Sequence, residues 1–375
     1  MGAIGQAAQE EAAADKVTVA PLDCACCEGR FDDLDTWLQT ALDALQGFEG
    51  ETFQVGTTFP SACEAAEKAV EGNPDIGDTV RTEANRLLAP RIAEATGMTW
   101  APAERPDLVI HVDTRFWTAS VSPNAVFVEG RYTKLRRDVP QTHWPCKTCQ
   151  GLGCFACDDA GVQYAESVEE AVATHLEPAF EAASSSFHGA GREDIDALMM
   201  GTGRPFVLEL KGPKKRQADL AAAADAINAL TEASGVGVRD LRMSTKERIQ
   251  ELKGGVYDKV YVAHCETEAP VSAEQVEAAA QAMSGVMLEQ RTPERVSHRR
   301  ADLVRERRIH AMTVEHVDDE RHFTVRVHAD SGAYIKEMVT GDEGRTTPNL
   351  TDALGVGCRV AFLDVLEILD EPEIS

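Results

Sequence analysis

The chain has 375 residues, 43% of them apolar, which is enough for two or three domains with their own cores and too apolar for a wholly disordered polypeptide. It carries 63 acidic and 37 basic side chains, a formal net charge of −26 that on its own argues against a polyanionic partner. Only 11 of the 37 basic residues are Lys, however, and an acidic, Lys-poor surface is also what molar salt favours, where the Debye length falls to about 3 Å.

Residues 1–20 read as a disordered lead, because MGAIGQAAQEEAAADK has neither the basic nor the apolar region of a secretory signal. No apolar run approaches the roughly 18–20 residues of a membrane span, so a cytoplasmic protein without a membrane partner is expected. Leu34, Leu38, Leu42 and Leu45 repeat at helical spacing over 33–47, and 61–72 and 78–96 also read as helices, the latter opening at Asp78-Thr79 and closing at Gly97. The runs 106–114, 116–122 and 125–132 are short and β-like. Together these predict an α/β module ending near Gln141.

Residues 142–164 form a joint dense in cysteine. Cys146, Cys149, Cys154 and Cys157 are spaced C-x2-C-x4-C-x2-C, and each C-x2-C turn aims two thiolates at one point, as a tetrahedral zinc requires. A second C-x2-C pair, Cys24 and Cys27, is the alternative source of two ligands. Clustered cysteines favour a structural metal in a reducing compartment over a disulfide framework.

From residue 165 onward the pattern is mixed. A helix over 167–185 leads into a loop over 187–205, then a strand over 206–210 and a helix over 216–233. Strands are predicted at 236–243, 256–266, 309–317, 322–329 and 359–369, with a helix over 272–283 capped by Ser272. Few connections are long enough for a regular βαβ array, so a mixed, mainly antiparallel sheet is expected. The fold class is therefore α+β. The stretch 289–310 holds seven Arg and two His in an acidic chain and reads as an RNA-contacting island, with a smaller one at Arg131, Lys134, Arg136 and Arg137.

The loop GAGREDIDALMMGTGRPF sets Arg192, Asp194 and Asp196 among glycines, where sites commonly lie. Two chemistries fit it. The Asp194/Asp196 pair can bind a divalent cation, or one Asp can act as nucleophile or base with Arg192 orienting it. This loop resembles the catalytic motif of the archaeal-type tRNA pseudouridine synthases of uridines 54 and 55, a family with a THUMP RNA-binding module; the present chain departs from it at Ala197-Leu198, where that family usually has an Arg. VYDKVYVAHC, ADSGAYIKEMVTGDEGRTTPNL and GCRVAFLDVLEI resemble further segments of that family in order, and PDLVIHVD with GRYTKLRRDVPQT resembles the end of its THUMP module.

The resemblance implies an RNA-binding THUMP-containing domain over 21–141, the four-cysteine joint over 142–164 and a pseudouridine synthase domain over 165–375. It implies Asp194 as nucleophile, with Arg192 beside it, and Lys259, Tyr261, Tyr334, Lys336, Arg345 and Leu363 around the substrate. The expected activity is isomerisation of uridine 54 and/or 55 in tRNA, with no catalytic cofactor, a structural zinc, tRNA as partner and no required protein partner. A halophilic archaeal source would explain the acidity. The competing reading is a non-catalytic, zinc-containing RNA-binding protein or tRNA-processing scaffold.

Overall fold

The computed structural model describes residues 27–70, 79–295 and 301–369. The predicted lead over 1–20, Cys24 and residues 296–300 of the basic stretch lie outside the described residues. Two compact units emerge: the described part of Met1–Val126 with Glu177–Ser185 and Leu210–Ala218, and a larger unit of Phe127–Leu176, Ser186–Glu209 and the described part of Asp219–Ser375.

In the first unit, α1 (Leu34–Leu45) buries Leu34, Trp37, Ala41 and Leu45. That face includes Trp37 as well as the leucines, because the 3.6-residue repeat turns the stripe away from a strict Leu ladder. After β1 (Thr52–Thr58) come α2 (Ser61–Val70) and α3 (Val80–Thr96). Thr79 caps α3 by accepting the Thr82 N–H, and Gly97 ends it at φ 77°. The sheet adds β2 (Thr99–Trp100), β3 (Leu108–Asp113) and β4 (Thr118–Pro123) in the order β2-β1-β3-β4. β1 pairs with β3 in parallel. Sequence reasoning missed β1, although Phe53, Val55 and Thr57 alternate inward; the run is polar between them and falls between two helical patterns. Trp37, Phe53, Phe59, Leu88 and Ile110 lie in the core of this unit.

The larger unit is built on a ten-stranded sheet. Its strands are β5 (Val126–Lys134), β6 (Ser184–Gly189), β7 (Met199–Lys211), β8 (Val236–Ser244), β9 (Lys259–Thr267), β10 (Met287–Arg291), β11 (Val304–Val317), β12 (His322–Ala329), β13 (Thr346–Thr347) and β14 (Cys358–Ile368). They run β13-β10-β11-β12-β9-β14-β7-β5-β8, with β6 beside β7. Helix α4 (Val168–Ala179) precedes β6, and α5 (Ala273–Met283) opens with the full capping box of Ser272 and Gln275. β14 pairs with β7 in parallel and with β9 antiparallel, giving the mixed sheet the sequence predicts. The chain is accordingly α+β. β5, which sequence reasoning groups with the N-terminal module, pairs with β8 in this sheet.

The predicted loop 187–205 is mostly strand, leaving only 190–198 irregular between β6 and β7. The glycines that read as a flexible loop lie inside β7. A Cβ at Gly201 would stand 2.2 Å from the Leu366 carbonyl oxygen, and one at Gly203 would stand 2.6 Å from that of Tyr132. They mark close approach of neighbouring backbones, at positive φ, and not a turn. Register explains why distant segments meet here: Val365 on β14 is opposite Met199 at the start of β7 and opposite Tyr261 on β9.

Candidate active site and cysteine centre

Adjacent acids in the 190–198 loop have opposite environments. Glu193 is buried and pairs with Arg204 on β7 at 2.9 Å, each side chain no more than 2% exposed. The Tyr132 hydroxyl donates to the Glu193 carboxylate at 2.8 Å, and Gln141 Nε2 reaches both Tyr132 Oη at 2.8 Å and the Gly191 carbonyl at 3.0 Å. Burial pushes the Arg204 guanidinium down, but Glu193, with Tyr132 and Tyr261 helping, outweighs it and holds it above its usual range. The Tyr132 phenol is pushed well up, by burial and then by Glu193.

Asp194, by contrast, has its side chain 41% exposed. Its Oδ2 lies 3.2 Å from Lys336 Nζ and 3.7 Å from Arg295 Nη1. Arg295 is itself oriented by Glu337, which accepts from its Nε at 2.6 Å. Lys336 also reaches Asp196, at 3.4 Å. Arg192, the expected partner of Asp194, instead lies over the Trp144 ring, 4.9 Å from its centroid.

The loop backbone is clamped as firmly as Glu193. Lys134, fully buried, donates to the carbonyls of Val139 at 2.9 Å, Ile195 at 2.9 Å and Asp194 at 3.3 Å. Arg137 grips the Asp364 carboxylate with two bonds, at 2.7 and 2.9 Å, and also donates to the Asp196 carbonyl. Asp364 in turn accepts the Leu198 N–H at 3.0 Å. Arg131 donates to the carbonyls of Thr202, Gly203 and Ile368. Most of the small basic island read as an RNA contact thus braces the loop and strands, since these cations meet backbone carbonyls and a buried carboxylate.

The other predicted residues fall as follows. Tyr261 is buried near Asp194 and Arg204; burial pushes its phenol up to about 12, with Arg204 opposing and Asp194 adding to the rise. Lys259, half-buried on the same strand, is pushed down to about 8 by burial and by Arg204. Leu363 stands on β14 opposite Ala263 of β9. Gln290, fully buried on β10, brackets Tyr334 by accepting its N–H at 2.9 Å and donating to its carbonyl at 3.0 Å. The Tyr334 hydroxyl is shut from solvent with no hydrogen-bond partner among the described residues. Arg345 lies near Asp302, and its carbonyl accepts the Arg291 N–H at 2.9 Å; no hydrogen bond or ion pair found among the described residues brings it to Asp194. Sequence reasoning missed Arg295, Glu193, Arg204, Tyr132, Arg137 and Asp364 as parts of one assembly. Arg295 was visible within the basic stretch, but its partner Glu337 is 42 residues away, a separation no local pattern reveals.

Cys146, Cys149, Cys154 and Cys157 converge. Their sulfurs lie 4.0 Å (146–154), 3.8 Å (149–157) and 3.7 Å (154–157) apart, and all four are within 4.8 Å of one another. Zinc–sulfur bonds of about 2.3 Å in a tetrahedron put sulfurs about 3.8 Å apart, so the four residues fit a metal. Backbone hydrogen bonds such as Cys146 N–H to the Gly161 carbonyl at 2.7 Å close the base of this loop, but apolar burial adds little, with Leu152 91% and Phe155 96% exposed. Cys27 is buried in the first unit.

Comparison with known proteins covers nearly the whole chain. Residues 127–369 match the family model Pus10, C-terminal, and residues 37–113 match Pus10 THUMP domain, archaeal. A protein of Halorubrum lacusprofundi named tRNA pseudouridine synthase Pus10 is 40% identical over 365 residues, 95% of this chain and 85% of that protein. Proteins of the same name are 42% identical in Methanothermobacter marburgensis, over 92% of this chain and 86% of that one, and 38% identical in Archaeoglobus fulgidus, over 92% and 94%. Among solved structures, a chain of a Cbf5-Nop10-Gar1 complex aligns with a TM-score of 0.32 at 17% identity, over 54% of this chain and 46% of that one.

Proposed function

The chain belongs to the Pus10 family and is a tRNA pseudouridine synthase, and from that premise we propose that it converts uridine 54 and/or 55 of tRNA to pseudouridine with Asp194 as the attacking carboxylate. The observation that carries the assignment is the contrast at 193–194. Glu193 is sealed in a buried pair, whereas Asp194 is half-exposed, oriented by Lys336 and Arg295, and next to buried Tyr261. Of the two acids, only Asp194 can meet a substrate.

The reaction breaks the C1′–N1 bond, turns the base and rejoins it through C5. It is an isomerisation, so atoms and charge balance without a cofactor. A base inside a folded arm must be flipped out, and the flipped uracil needs a flat partner, the role proposed for Tyr261. Lys336 and Arg295 keep Asp194 aimed, Tyr334 and Leu363 border the base, and Lys259 and Arg345 face the RNA backbone. Arg192, stacked on Trp144, is assigned to the RNA side and not to Asp194. The N-terminal module over 21–141 grips tRNA, the joint over 142–164 holds a structural zinc, and 165–375 carries the chemistry, with β5 of the 21–141 segment adding a strand to its sheet. The four later cysteines, their sulfurs within 4.8 Å of one another, are taken as the ligand set in preference to the Cys24/Cys27 pair. The stretch 289–310 supplies the main cationic contact to RNA.

Asp194→Asn should form no pseudouridine in an unmodified tRNA transcript, scored by carbodiimide or cyanoethylation labelling, while still binding it. Product from Asp194→Asn but none from Asp196→Asn would refute the assignment. The charge of −26 fits adaptation of a cytoplasmic enzyme to high salt, where RNA binding survives because long-range repulsion is screened. Stability and tRNA binding should both fall in dilute buffer and recover toward molar KCl; full stability and activity at low salt would remove that explanation.

A further inference from the structure

A second group of metal-ligating side chains lies outside the assembly around Asp194. It is built where three strands of the larger unit meet, from Asp258 just before β9, His310 on β11 and His328 on β12. On β11 the register shifts between Ile309 and Ala311, so His310 is the extra residue of a β-bulge. Bulges re-aim side chains, and this one brings the His310 ring against that of His328, with centroids 4.5 Å apart at 30°.

The ring nitrogens converge on oxygen. His310 Nε2 lies 3.3 Å from Asp258 Oδ2 and 2.8 Å from Asp330 Oδ1. His328 Nε2 is 3.9 Å from the same Asp258 oxygen, too far for a hydrogen bond. It is also closed off from solvent with no hydrogen-bond partner among the described residues. An imidazole nitrogen buried without a partner is costly, and a shared cation relieves that cost. Metal–nitrogen and metal–oxygen bonds of about 2.0–2.2 Å place neighbouring ligands about 3–3.5 Å apart, so the observed spacings need only a small closure.

Both carboxylates are already oriented through their other oxygens. The Ser331 N–H donates to Asp258 Oδ1 at 3.3 Å, and the Arg308 N–H donates to Asp330 Oδ2 at 2.7 Å. That leaves Asp258 Oδ2 and Asp330 Oδ1 facing the histidines, the arrangement by which outer contacts set metal ligands. Two imidazoles with carboxylate oxygens suit borderline divalent transition cations and not Mg²⁺ or Ca²⁺, which prefer all-oxygen shells.

We propose that Asp258, His310 and His328, with Asp330 in support, bind a divalent transition-metal ion such as Zn²⁺, Co²⁺ or Ni²⁺, distinct from the one held by the four cysteines. It ties the start of β9 to the middle of β11 and the end of β12, one residue before Lys259.

Cobalt separates the two centres optically, because a tetrathiolate gives an intense near-ultraviolet charge-transfer band and a histidine–carboxylate site gives only weak visible bands. The full chain, stripped with chelator and titrated with Co²⁺, should bind a further equivalent after the thiolate band has saturated. His310→Gln together with His328→Gln should abolish that equivalent and leave the thiolate band unchanged. Cys154→Ser should do the reverse. Circular dichroism and the intact thiolate band would show the histidine variant folded; were it not, Asp258→Asn alone should weaken the added equivalent at least about tenfold. Saturation at the thiolate equivalent alone, or a histidine variant that still takes the second ion, would overturn the proposal.

Discussion

Two irregular segments of the larger unit, 190–198 and 144–162, are both punctuated by glycine and both stand between regular elements, yet they are held by opposite means. The first is fixed from beneath by buried charge: Glu193 on Arg204, Lys134 on three carbonyls, and Arg137 on Asp364. The second has almost no buried apolar surface and is drawn together by four sulfurs. The first loop presents Asp194 and Asp196 at its surface on a support of buried charge, whereas the second has four sulfurs placed where one metal ion could hold its shape. The neighbouring acids Glu193 and Asp194 accordingly have opposite environments, one sealed in a buried pair and the other open to solvent.

Exchanging the two acids tests that contrast most sharply. Asp194→Asn should lower kcat by about 10⁴-fold or more with an unchanged melting temperature, as loss of an attacking group does. Glu193→Gln should leave Arg204 buried without its counter-charge, costing about 3–5 kcal/mol of stability by denaturant titration. Equal loss of stability in both variants would dissolve the distinction.

With the proposed metal bound, the four-cysteine segment should respond to different perturbations. Chelation, or Cys154→Ser, should lower metal affinity by roughly 100-fold or more and open 142–164 to protease, because binding and local folding are one equilibrium there. The 190–198 loop should stay protected, as read by hydrogen exchange at Leu198.

A smaller effect is expected at the brace. Arg137→Met leaves Asp364 without its bidentate partner while Asp364 still holds the Leu198 N–H. A shift of Asp194 by a fraction of an ångström should cost about 10–100-fold in kcat with KM for tRNA nearly unchanged. A change confined to KM would move Arg137 from positioning to RNA contact.

The mildest test is pH. In the metal-free folded protein, burial and Arg204 push Lys259 down to about 8, against an ordinary Lys value near 10.5. If its charge contacts RNA, KM for tRNA should rise as pH passes 8, and Lys259→Arg should remove that inflection. Between about 8 and 10.5 the unfolded chain binds the extra proton, so this residue's contribution makes stability increase with pH there. Lys259→Met should flatten that increase.

Much of this was legible in sequence because it is local or linear. Helices α1 and α3, the capping box of α5 and the four-cysteine spacing are set by periodicity, cap chemistry and short loops, and the structure contains them. The Gly-x-Gly of 201–203 was misread as loop because the reason for those glycines lies on other strands, at the carbonyls of Leu366 and Tyr132. The same limit applies to charge. Sequence marks both 289–310 and the smaller 131–137 as basic islands. The fold commits Lys134, Arg131 and Arg137 to carbonyls and Asp364, commits Arg291 to Asp302, and sends Arg295 to Asp194 and Glu337.

The sequence by itself determined the family, the reaction and four cysteines spaced so that they could hold one metal ion, because ordered motifs and ligand spacing are properties of the chain. Which acid is exposed, which cations orient it and which histidines meet Asp258 were decided only by the sheet. The pairing of β14 with both β7 and β9, and a one-residue bulge in β11, bring together groups tens to hundreds of residues apart, and no local physical rule links them before the strands pair.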